Sequence, residues 1–343
     1  MAERQTKPKR AQATSRASSR ESSPRIVVIG ASAGGFAALT ALAAQLPASF
    51  PAAVFAVLHV AADFPANDFA ARLDQYSAMP WKLAQNGERF RVGTGYVAPA
   101  DMHMLVKEHT ILVTKGAREN RYRPAIDPLF RSAAVAHGSR VVGVVLTGML
   151  DDGTAGLEAV ARCGGITVVQ DPADAAFPAM PQSAIENVRV DHRARLVELG
   201  ALLDSLVRAT VPKSKRAPAD VAAEASIAER VVTEVSDADM LGARVPHNCP
   251  ECGGVLWQVS QAKVPRFRCP VGHAFSAATL LATQSEKIEE TLWVTLRMLE
   301  ERRNLAMSIA KKSASPMAAR AEARAREAEL DIKRIREILG AGR

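Results

Sequence analysis

The sequence has no long hydrophobic run and few cysteines. No stretch of the 343 residues approaches the roughly 18 consecutive apolar residues that a membrane-spanning helix requires, which excludes such a span. Residues 1–24 are basic and rich in serine, without the apolar segment of a signal peptide, so we expect a cytoplasmic protein. Four cysteines are too few for a disulfide framework in a chain of this length. Hydrophobic residues make up 48% of the chain, which is sufficient for a packed core.

The formal net charge of +8 is concentrated at the amino terminus. Residues 1–25 contain seven basic and two acidic residues, and they supply most of the excess. We interpret residues 1–24 as a disordered, solvated basic tail. Binding of this tail to an anionic partner, such as a membrane surface or nucleic acid, is the alternative interpretation.

Continuous β-branched runs alternate with helix-like stretches between residues 25 and 211. The runs include RIVVIG (25–30), AAVFAVLHV (52–60), VVGVVLTG (141–148) and GITVVQD (165–171). Runs that are apolar at every position are typical of strands buried on both faces, and their alternation with helices indicates right-handed βαβ units. The sequence therefore predicts one doubly wound α/β domain with a mostly parallel sheet over residues 25–211.

The remaining residues divide into three parts by composition. Residues 212–245 begin with PKSKRAPAD and are predicted to be a linker with one weak helix candidate, VAAEASIAERVVTEV. Residues 246–276 are predicted to be a compact module that holds three of the cysteines. Residues 277–343 show helical spacing of Ile and Leu, interrupted by SASP (313–316), which predicts two helices. Such helices pack on a domain or on each other; a coiled coil for a partner or for self-association is the alternative.

Gly30, Ser32 and Gly34 match the G-x-S-x-G pattern of a nucleophile elbow. The pattern lies between a predicted strand and a predicted helix, which is the context that such an elbow requires. Small neighbours allow a sharp turn that lifts the serine hydroxyl to the carboxyl edge of the sheet, where the amides of the next helix can stabilise an anion. A dinucleotide-binding loop would have glycine in place of Ser32 and an acid after the second strand. A structural turn serine is the other alternative.

Histidine and aspartate follow two other predicted strands. His59 ends the second strand, beside the first in this topology, so its imidazole is expected to reach Ser32 and take its proton. Such a base needs a carboxylate to fix its tautomer, and Asp151 and Asp152 follow the strand VVGVVLTG. An Asp-Asp-Gly sequence also suits a turn or a helix cap, which stays the alternative for both aspartates. The chain order Ser, His, Asp differs from that of α/β-hydrolases and indicates a distinct family.

Five segments of the predicted α/β domain carry a resemblance to a known family. They read IGASAGG, VLHV, YVAPADMHM, RPAIDPLFRSAA and LTGMLDDGTAGL. Together they resemble the catalytic domain of the chemotaxis protein-glutamate methylesterases, the CheB family, over about residues 25–208. The resemblance implies a doubly wound α/β serine hydrolase that removes methyl groups from glutamate methyl esters on chemoreceptors and can deamidate selected glutamines.

The resemblance also implies roles for individual residues. Matched position by position, the family's nucleophile falls on Ser32, its base on His59 and its carboxylate on Asp152. The backbone amides of Ala33 and Met149 are the implied oxyanion donors. No cofactor is implied for this chemistry.

The chain departs from the family pattern at several positions. Ala33 stands where the family typically has threonine, which keeps the backbone donor but removes a hydroxyl. Leu150 replaces a glycine of the G-M-G-x-D-G loop, and Asp151 stays a second candidate for the triad acid. His103 lies in a shared stretch, where we expect a hydrogen bond within a loop and no catalytic role. Only 24 residues precede the first strand, so we expect no fused phospho-receiver domain and no control through one.

The compact module contains a metal-binding pattern. Cys249 and Cys252 form a C-x2-C pair, and Cys269 and His273 form a C-x3-H pair sixteen residues later. Two ligand pairs on tight turns suit a tetrahedral zinc ion, and four protein ligands leave no open coordination position, so we predict a structural zinc. A redox-active cysteine pair is the alternative. The fourth cysteine, Cys163, is predicted to be a small buried residue.

Two functions of different classes follow from these observations. The leading hypothesis is a serine esterase that hydrolyses glutamate methyl esters of a methylated receptor or related signalling protein, with glutamine deamidation as a second activity. The alternative is a non-catalytic, methylesterase-like scaffold that binds a signalling partner through the zinc module and the helices. A nucleic-acid partner is not expected, because neither the tail nor the module interleaves basic and aromatic residues.

Overall fold

The computed structural model of the protein describes residues 24–212, 216–230, 239, 241–259, 263–312 and 316–341. Of the predicted basic tail, residues 1–23 therefore lie outside the described residues, as do parts of the predicted linker and most of the SASP break. Among the described helices, none combines the length and the apolar character that a membrane span requires.

Residues 24–212 form an α/β unit around a seven-stranded sheet. The strands of this unit are β1 (Ile26–Ala31), β2 (Ala53–Leu58), β3 (Trp81–Leu83), β4 (Gly95–Val97), β5 (His103–Val106), β6 (Ile111–Thr114), β7 (Val141–Val145), β8 (Ile166–Gln170) and β9 (His192–Ala194). The helices are α1 (Gly35–Ala43), α2 (Ala66–Tyr76), α3 (Ile126–His137), α4 (Thr154–Arg162), α5 (Ala179–Asn187) and α6 (Leu196–Arg208).

The sheet is parallel throughout and has the order β3-β4-β2-β1-β7-β8-β9. Strands β5 and β6 form a separate antiparallel pair. The chain first builds the sheet outward from β1 through β2 and then returns to the other side of β1 with β7. The strand order thus reverses at β1, which creates a crevice at the carboxyl edge of the sheet. The predicted doubly wound α/β fold is confirmed.

The continuous apolar runs are explained by burial of the sheet on both faces. In β1, Ile26 and Val28 pack into the cluster that includes residues of α3, α4 and α5, whereas Val27 and Ile29 pack into the cluster with α1, α2 and α6. A strand buried on one face only would alternate apolar and polar residues. The helices therefore cover both faces of the sheet.

A second, four-stranded antiparallel sheet follows in the order β10-β11-β12-β13. The elements of this part of the chain are α7 (Ala219–Glu229), β10 (Gly242–Asn248), β11 (Val255–Val259), β12 (Arg266–Arg268), β13 (Ala274–Ser276), α8 (Ala277–Lys312) and α9 (Pro316–Ala341). We refer to residues 241–276 as the Cys/His module. Helices α8 and α9 pack against each other, so the prediction of two carboxyl-terminal helices is confirmed.

The residues predicted to form a linker contain ordered elements. Helix α7 packs against α3, with Val221 fully buried. The buried carboxylate of Glu224 in this helix forms an ion pair with Arg266 of β12, at 2.5 Å. Strand β10 begins at Gly242, four residues before the predicted start of the module. Small apolar residues and one buried charge give α7 a weak amphipathic pattern, which is why its packing is not evident from the sequence.

Helix α8 exposes a set of large apolar side chains, which include Leu281, Ile288, Trp293, Met298 and Leu305. Self-association through the two helices stays a prediction.

A buried ion-pair network joins the Cys/His module to the α/β unit. The carboxylate of Glu119 accepts hydrogen bonds from Arg131 of α3, at 2.6 Å, and from Arg268 of β12, at 2.7 Å. All three side chains are almost completely buried. Burial alone would raise the pKa of Glu119, but the two guanidinium groups hold it well below its ordinary value. The carboxylate is therefore ionised and neutralises charges from both parts of the chain.

Replacing Glu119 with glutamine is expected to destabilise the protein by about 3–5 kcal/mol, because two buried guanidinium groups lose their counter-charge. Urea unfolding followed by circular dichroism measures the loss. The control is Glu290→Gln, which breaks an exposed ion pair with Lys287 and should cost under about 1 kcal/mol. Because the pKa of Glu119 is depressed in the folded state, its contribution is present at neutral pH and is lost as the pH falls through the acid range. Equal losses in the two variants would contradict this interpretation.

Candidate active site

Three predicted site residues meet at the carboxyl edge of the parallel sheet. Ser32 follows β1, His59 follows β2, and Asp152 lies in the loop between β7 and α4. Because β1 pairs with both β2 and β7, the ends of these three strands are neighbours. The topology therefore brings together side chains that are far apart in the sequence.

The three side chains form one continuous line of hydrogen bonds. Nδ1 of His59 lies 3.1 Å from the Ser32 hydroxyl, and Nε2 lies 2.7 Å from Oδ2 of Asp152. The side chains of His59 and Asp152 are 2% exposed, whereas Ser32 is half-buried and accessible. An ionised Asp152 can only accept a hydrogen bond, so Nε2 carries the imidazole proton. Nδ1 is then free to accept the proton of the Ser32 hydroxyl.

The carboxylate of Asp152 is held by donors on both oxygens. Besides His59, Oδ2 accepts the backbone amide of Ile126 at 2.7 Å, and Oδ1 accepts the Asn120 side-chain amide at 2.8 Å. Ile126 is the first residue of α3, so the positive end of this helix faces the carboxylate. Burial would raise the pKa of Asp152, but these hydrogen bonds and His59 lower it below its ordinary value. Asp152 is therefore ionised.

A second buried carboxyl group lies beside the first. Asp127 accepts the backbone amides of Gly153, at 3.1 Å, and Gly156, at 2.6 Å, and Oδ2 lies 3.0 Å from the Asn120 side-chain nitrogen. Burial, together with the charge of Asp152, raises the pKa of Asp127 well above its ordinary value. The pKa values of the two neighbours thus shift in opposite directions, which favours the charged form at Asp152 over that at Asp127.

The other candidate acid, Asp151, has a different partner. Its Oδ1 accepts a hydrogen bond from the Thr279 hydroxyl of α8, at 2.9 Å. Burial raises its pKa. The structure therefore directs Asp152 towards His59 and Asp151 towards the carboxyl-terminal helix.

The two predicted oxyanion donors flank Ser32. Ala33 follows it directly, and the loop that carries Met149 passes close by, since a Cβ atom added to Gly148 would lie 2.8 Å from Cβ of Ser32. Within the described part of the chain, neither the Ala33 amide nor the Met149 amide donates a hydrogen bond. Both N–H groups are thus available to a ligand at Ser32.

Leu150 has a left-handed backbone conformation, with φ of +61°. This is the position at which the resemblance implies glycine, and a non-glycine residue there costs about 1–2 kcal/mol. The loop retains the conformation that glycine favours, and it does so despite the leucine side chain.

The α/β unit that carries these residues is similar to known proteins. The profile of the CheB methylesterase family matches residues 27–203, which is just over half of the chain. The chain belongs to the CheB methylesterase family. A protein-glutamate methylesterase/protein-glutamine glutaminase of Photorhabdus laumondii is 40% identical over 174 residues, which cover 50% of this chain and 49% of that protein. The protein-glutamate methylesterase/protein-glutamine glutaminase 1 of Xanthomonas oryzae is 38% identical over 191 residues, which cover 54% of this chain and 53% of that protein.

A solved structure is similar over the same region. The crystal structure of the Thermotoga maritima CheB methylesterase catalytic domain matches with a TM-score of 0.53 and 34% identity, and the match covers 54% of this chain and all of that domain. This chain spans about half the length of the curated relatives that it matches. The CheB region corresponds to the α/β unit.

Two residues that contact the candidate triad are not evident from the sequence. The Tyr122 ring stacks on the His59 imidazole, with ring centroids 3.7 Å apart, and Asn120 binds Asp152. Both lie in the irregular segment RENRYRP before α3 of the CheB region, where periodicity gives no signal. Thr147 also supports the site, because its hydroxyl donates to the Ala33 carbonyl at 3.0 Å and fixes the turn after Ser32.

His103 is buried at the start of β5. One of its ring nitrogens lies 2.9 Å from the Ala117 carbonyl oxygen, and the other lies 3.3 Å from the Ala125 amide nitrogen. Burial lowers its pKa, so the ring is neutral. These partners are loop backbone groups, as expected, and they place His103 in a structural role.

The four predicted metal ligands converge in the Cys/His module beyond the CheB region. Their donor atoms all lie within 4.8 Å of one another. Sγ of Cys252 lies 3.6 Å from Sγ of Cys269, and Nδ1 of His273 lies 3.5 Å from Sγ of Cys269 and 3.8 Å from Sγ of Cys249. Ligands about 2.0–2.3 Å from a tetrahedral zinc ion are separated by roughly these distances. The residues present therefore fit a metal ion, and the sulfur separation is too long for a disulfide.

The choice between Asp151 and Asp152 as the acid of the triad can be tested with conservative variants. We expect Asp152→Asn to slow the reaction of Ser32 with a fluorophosphonate by about 10⁴-fold, because the amide no longer stabilises the imidazolium. Asp151→Asn should react at a rate close to that of the wild type, since Asp151 contacts Thr279. Mass spectrometry of the labelled peptide measures both rates. The reverse order of rates would assign the role of the acid to Asp151.

Proposed function

We propose that the protein is a serine esterase that hydrolyses glutamate methyl esters on a chemoreceptor or related signalling protein. One observation carries the proposal: the Ser32 hydroxyl, the His59 imidazole and the Asp152 carboxylate are connected by hydrogen bonds of 3.1 and 2.7 Å at the carboxyl edge of a CheB-type sheet. Membership of the CheB family and the names of the relatives support the choice of substrate class.

In the proposed mechanism, Ser32 is the nucleophile and His59 is the base. The hydroxyl oxygen attacks the ester carbonyl carbon while Nδ1 of His59 takes the hydroxyl proton. The amides of Ala33 and Met149 stabilise the negative oxygen of the tetrahedral intermediate. His59 then returns the proton to the methoxy oxygen, and methanol leaves. Water then attacks the acyl-enzyme carbonyl carbon while His59 takes a proton from it. The bond to the Ser32 oxygen breaks, His59 returns the proton to Ser32, and a glutamate carboxylate is released.

The same residues support deamidation of a glutamine side chain. The attack on the amide carbonyl is identical, and the leaving group is ammonia, which takes the proton from His59. The negatively charged Asp152 stabilises the imidazolium in both reactions. No cofactor takes part in either sequence of steps.

The surroundings of Ser32 suit a substrate that is itself a folded protein. Met149 is 54% exposed and Phe177 is 41% exposed, and both lie beside the turn that carries Ser32. Exposed apolar side chains around a half-buried nucleophile form an open surface, as a side chain presented by another protein requires.

Replacing Ser32 with alanine is expected to abolish methanol release from carboxyl-methylated receptors, with the fold intact. The measurement is the release of volatile label from methyl-labelled receptor membranes of the same cell. The control is Ser205→Ala on the exposed face of α6, which should retain full activity. Methanol release by the Ser32 variant, or no reaction of wild-type Ser32 with a fluorophosphonate, would reject the mechanism and favour a non-catalytic scaffold.

We propose in addition that Cys249, Cys252, Cys269 and His273 hold a structural zinc ion. A closed set of four protein ligands would stabilise the four-stranded sheet of the Cys/His module and would leave no coordination position for a substrate. The support is the convergence of the four donor atoms.

Metal analysis of the purified protein is expected to find about one zinc ion per chain. Cys269→Ala should lose the metal, whereas Cys163→Ala, which removes the cysteine outside the cluster, should retain it. Free zinc at about 100 times its Kd should stabilise the apoprotein by about 2.7 kcal/mol against unfolding. Retention of zinc in the Cys269 variant, or no zinc in the wild type, would contradict this assignment.

A further inference from the structure

The Cys/His module pairs directly with the loop that precedes α3. The Asn120 amide donates to the Ala274 carbonyl at 2.8 Å, and the Ala274 amide donates to the Arg118 carbonyl at 3.3 Å. Residues 118–120 thus lie along the outer edge of β13 in a parallel bridge. The edge strand of the module is completed by a segment of the CheB region.

The Asn120 side chain adds a further hydrogen bond to this pairing. Its Oδ1 accepts the Ser276 amide at 2.9 Å, while its Nδ2 donates to Asp152 at 2.8 Å and lies 3.0 Å from Asp127. The residue is buried and has φ of +49°, a conformation that asparagine tolerates. One side chain therefore connects β13 to the two buried carboxyl groups of the candidate active site.

The chemistry of the partners fixes the orientation of this amide. A backbone N–H can only donate, so it must face the oxygen of the Asn120 side chain. The NH2 group then necessarily points towards Asp152. The ionised Asp152 favours the same orientation, because it can only accept a hydrogen bond. The Ser276 amide and Asp152 thus hold the Asn120 side chain through its oxygen and its nitrogen, respectively.

We propose that Asn120 is a positioning residue for Asp152 and that strand β13 of the Cys/His module sets its orientation. The module is then a part of the active site, although it contributes no group that touches the substrate. This inference rests on the proposed role of the Ser32, His59 and Asp152 triad. Two contacts of α8 reinforce the attachment: Thr279 binds Asp151, and Glu286 forms an ion pair of 2.7 Å with Arg121.

The first test removes the Asn120 side chain. Asn120→Gly accepts the positive φ without strain, so loss of the amide is the main change. We expect the rate of Ser32 labelling by a fluorophosphonate to fall about 10- to 100-fold, because Asp152 is no longer held in the geometry that orients His59. Amide hydrogen exchange should show faster exchange at Ser276, since its acceptor is gone. If Asn120 only stabilised the fold, the variant would contain fewer folded molecules. The labelled fraction at saturation would then fall, and the rate of Ser32 labelling would stay unchanged.

The second test removes the donor on β13. Ser276→Pro deletes the amide at the residue before α8, where proline is tolerated and where the preceding Phe275 is already extended. Ser276→Ala is the matched control, because it also loses the hydroxyl but keeps the amide. We expect the proline variant to label about 10-fold more slowly than the alanine variant. The double variant Asn120→Gly/Ser276→Pro should be no slower than the slower single variant, since both act through one side chain.

Each outcome decides the proposal. Equal rates for the two Ser276 variants, or multiplicative losses in the double variant, would overturn it. If Ser276→Pro does not fold, the Asn120→Gly variant decides alone. Slower labelling of Ser32 together with faster amide exchange at Ser276 supports the proposal. Slower labelling without faster exchange, or faster exchange without slower labelling, overturns it. If wild-type Ser32 does not label at all, the proposed serine mechanism fails; normal wild-type labelling with unaffected variants rejects only the role of the module.

Discussion

The buried carboxylate of Asp152 is the charge on which the site depends. It accepts hydrogen bonds from the imidazole of His59, from the first amide of α3 and from the Asn120 side chain. A carboxylate can be ionised at this depth only when such donors replace water. Each donor comes from a different element, so the charge is stable only when the sheet, the helix and the loop are all in place. The fold and the reactivity of Ser32 are linked through this one group.

The pKa of the neighbouring Asp127 is raised, whereas that of Asp152 is lowered. Asp127 is almost as close to Asn120 as Asp152 is, but its own burial and the adjacent charge raise its pKa. Its partners are the backbone amides of Gly153 and Gly156, so it fixes the loop and the start of α4. Asp127 thus binds backbone amides, whereas Asp152 binds the imidazole of His59.

Much of the arrangement could be predicted from the sequence, because it follows from parallel strands. Apolar runs of β-branched residues mark the strands, and Ser32 and His59 lie where two of those strands end. Asp152 could not be separated from Asp151 by spacing, since the choice depends on the left-handed turn at Leu150 and on contacts with α8. Asn120 and Tyr122 gave no signal, because they lie in irregular chain and acquire their partners only through tertiary contacts. The sequence offered α7 as a weak helix candidate, but its small residues and its buried Glu224 hid the packing of this helix on α3.

The network of Arg131, Glu119 and Arg268 has a consequence for how the chain melts. Separation of the two sheets would take Arg268 of the module away from Glu119, whereas Glu119 would keep Arg131, because both of these residues belong to the α/β unit. The buried Arg268 guanidinium would then lose its shortest ion pair. Partial opening therefore has a free-energy cost of its own. We expect the α/β unit and the Cys/His module to unfold together in a single cooperative transition.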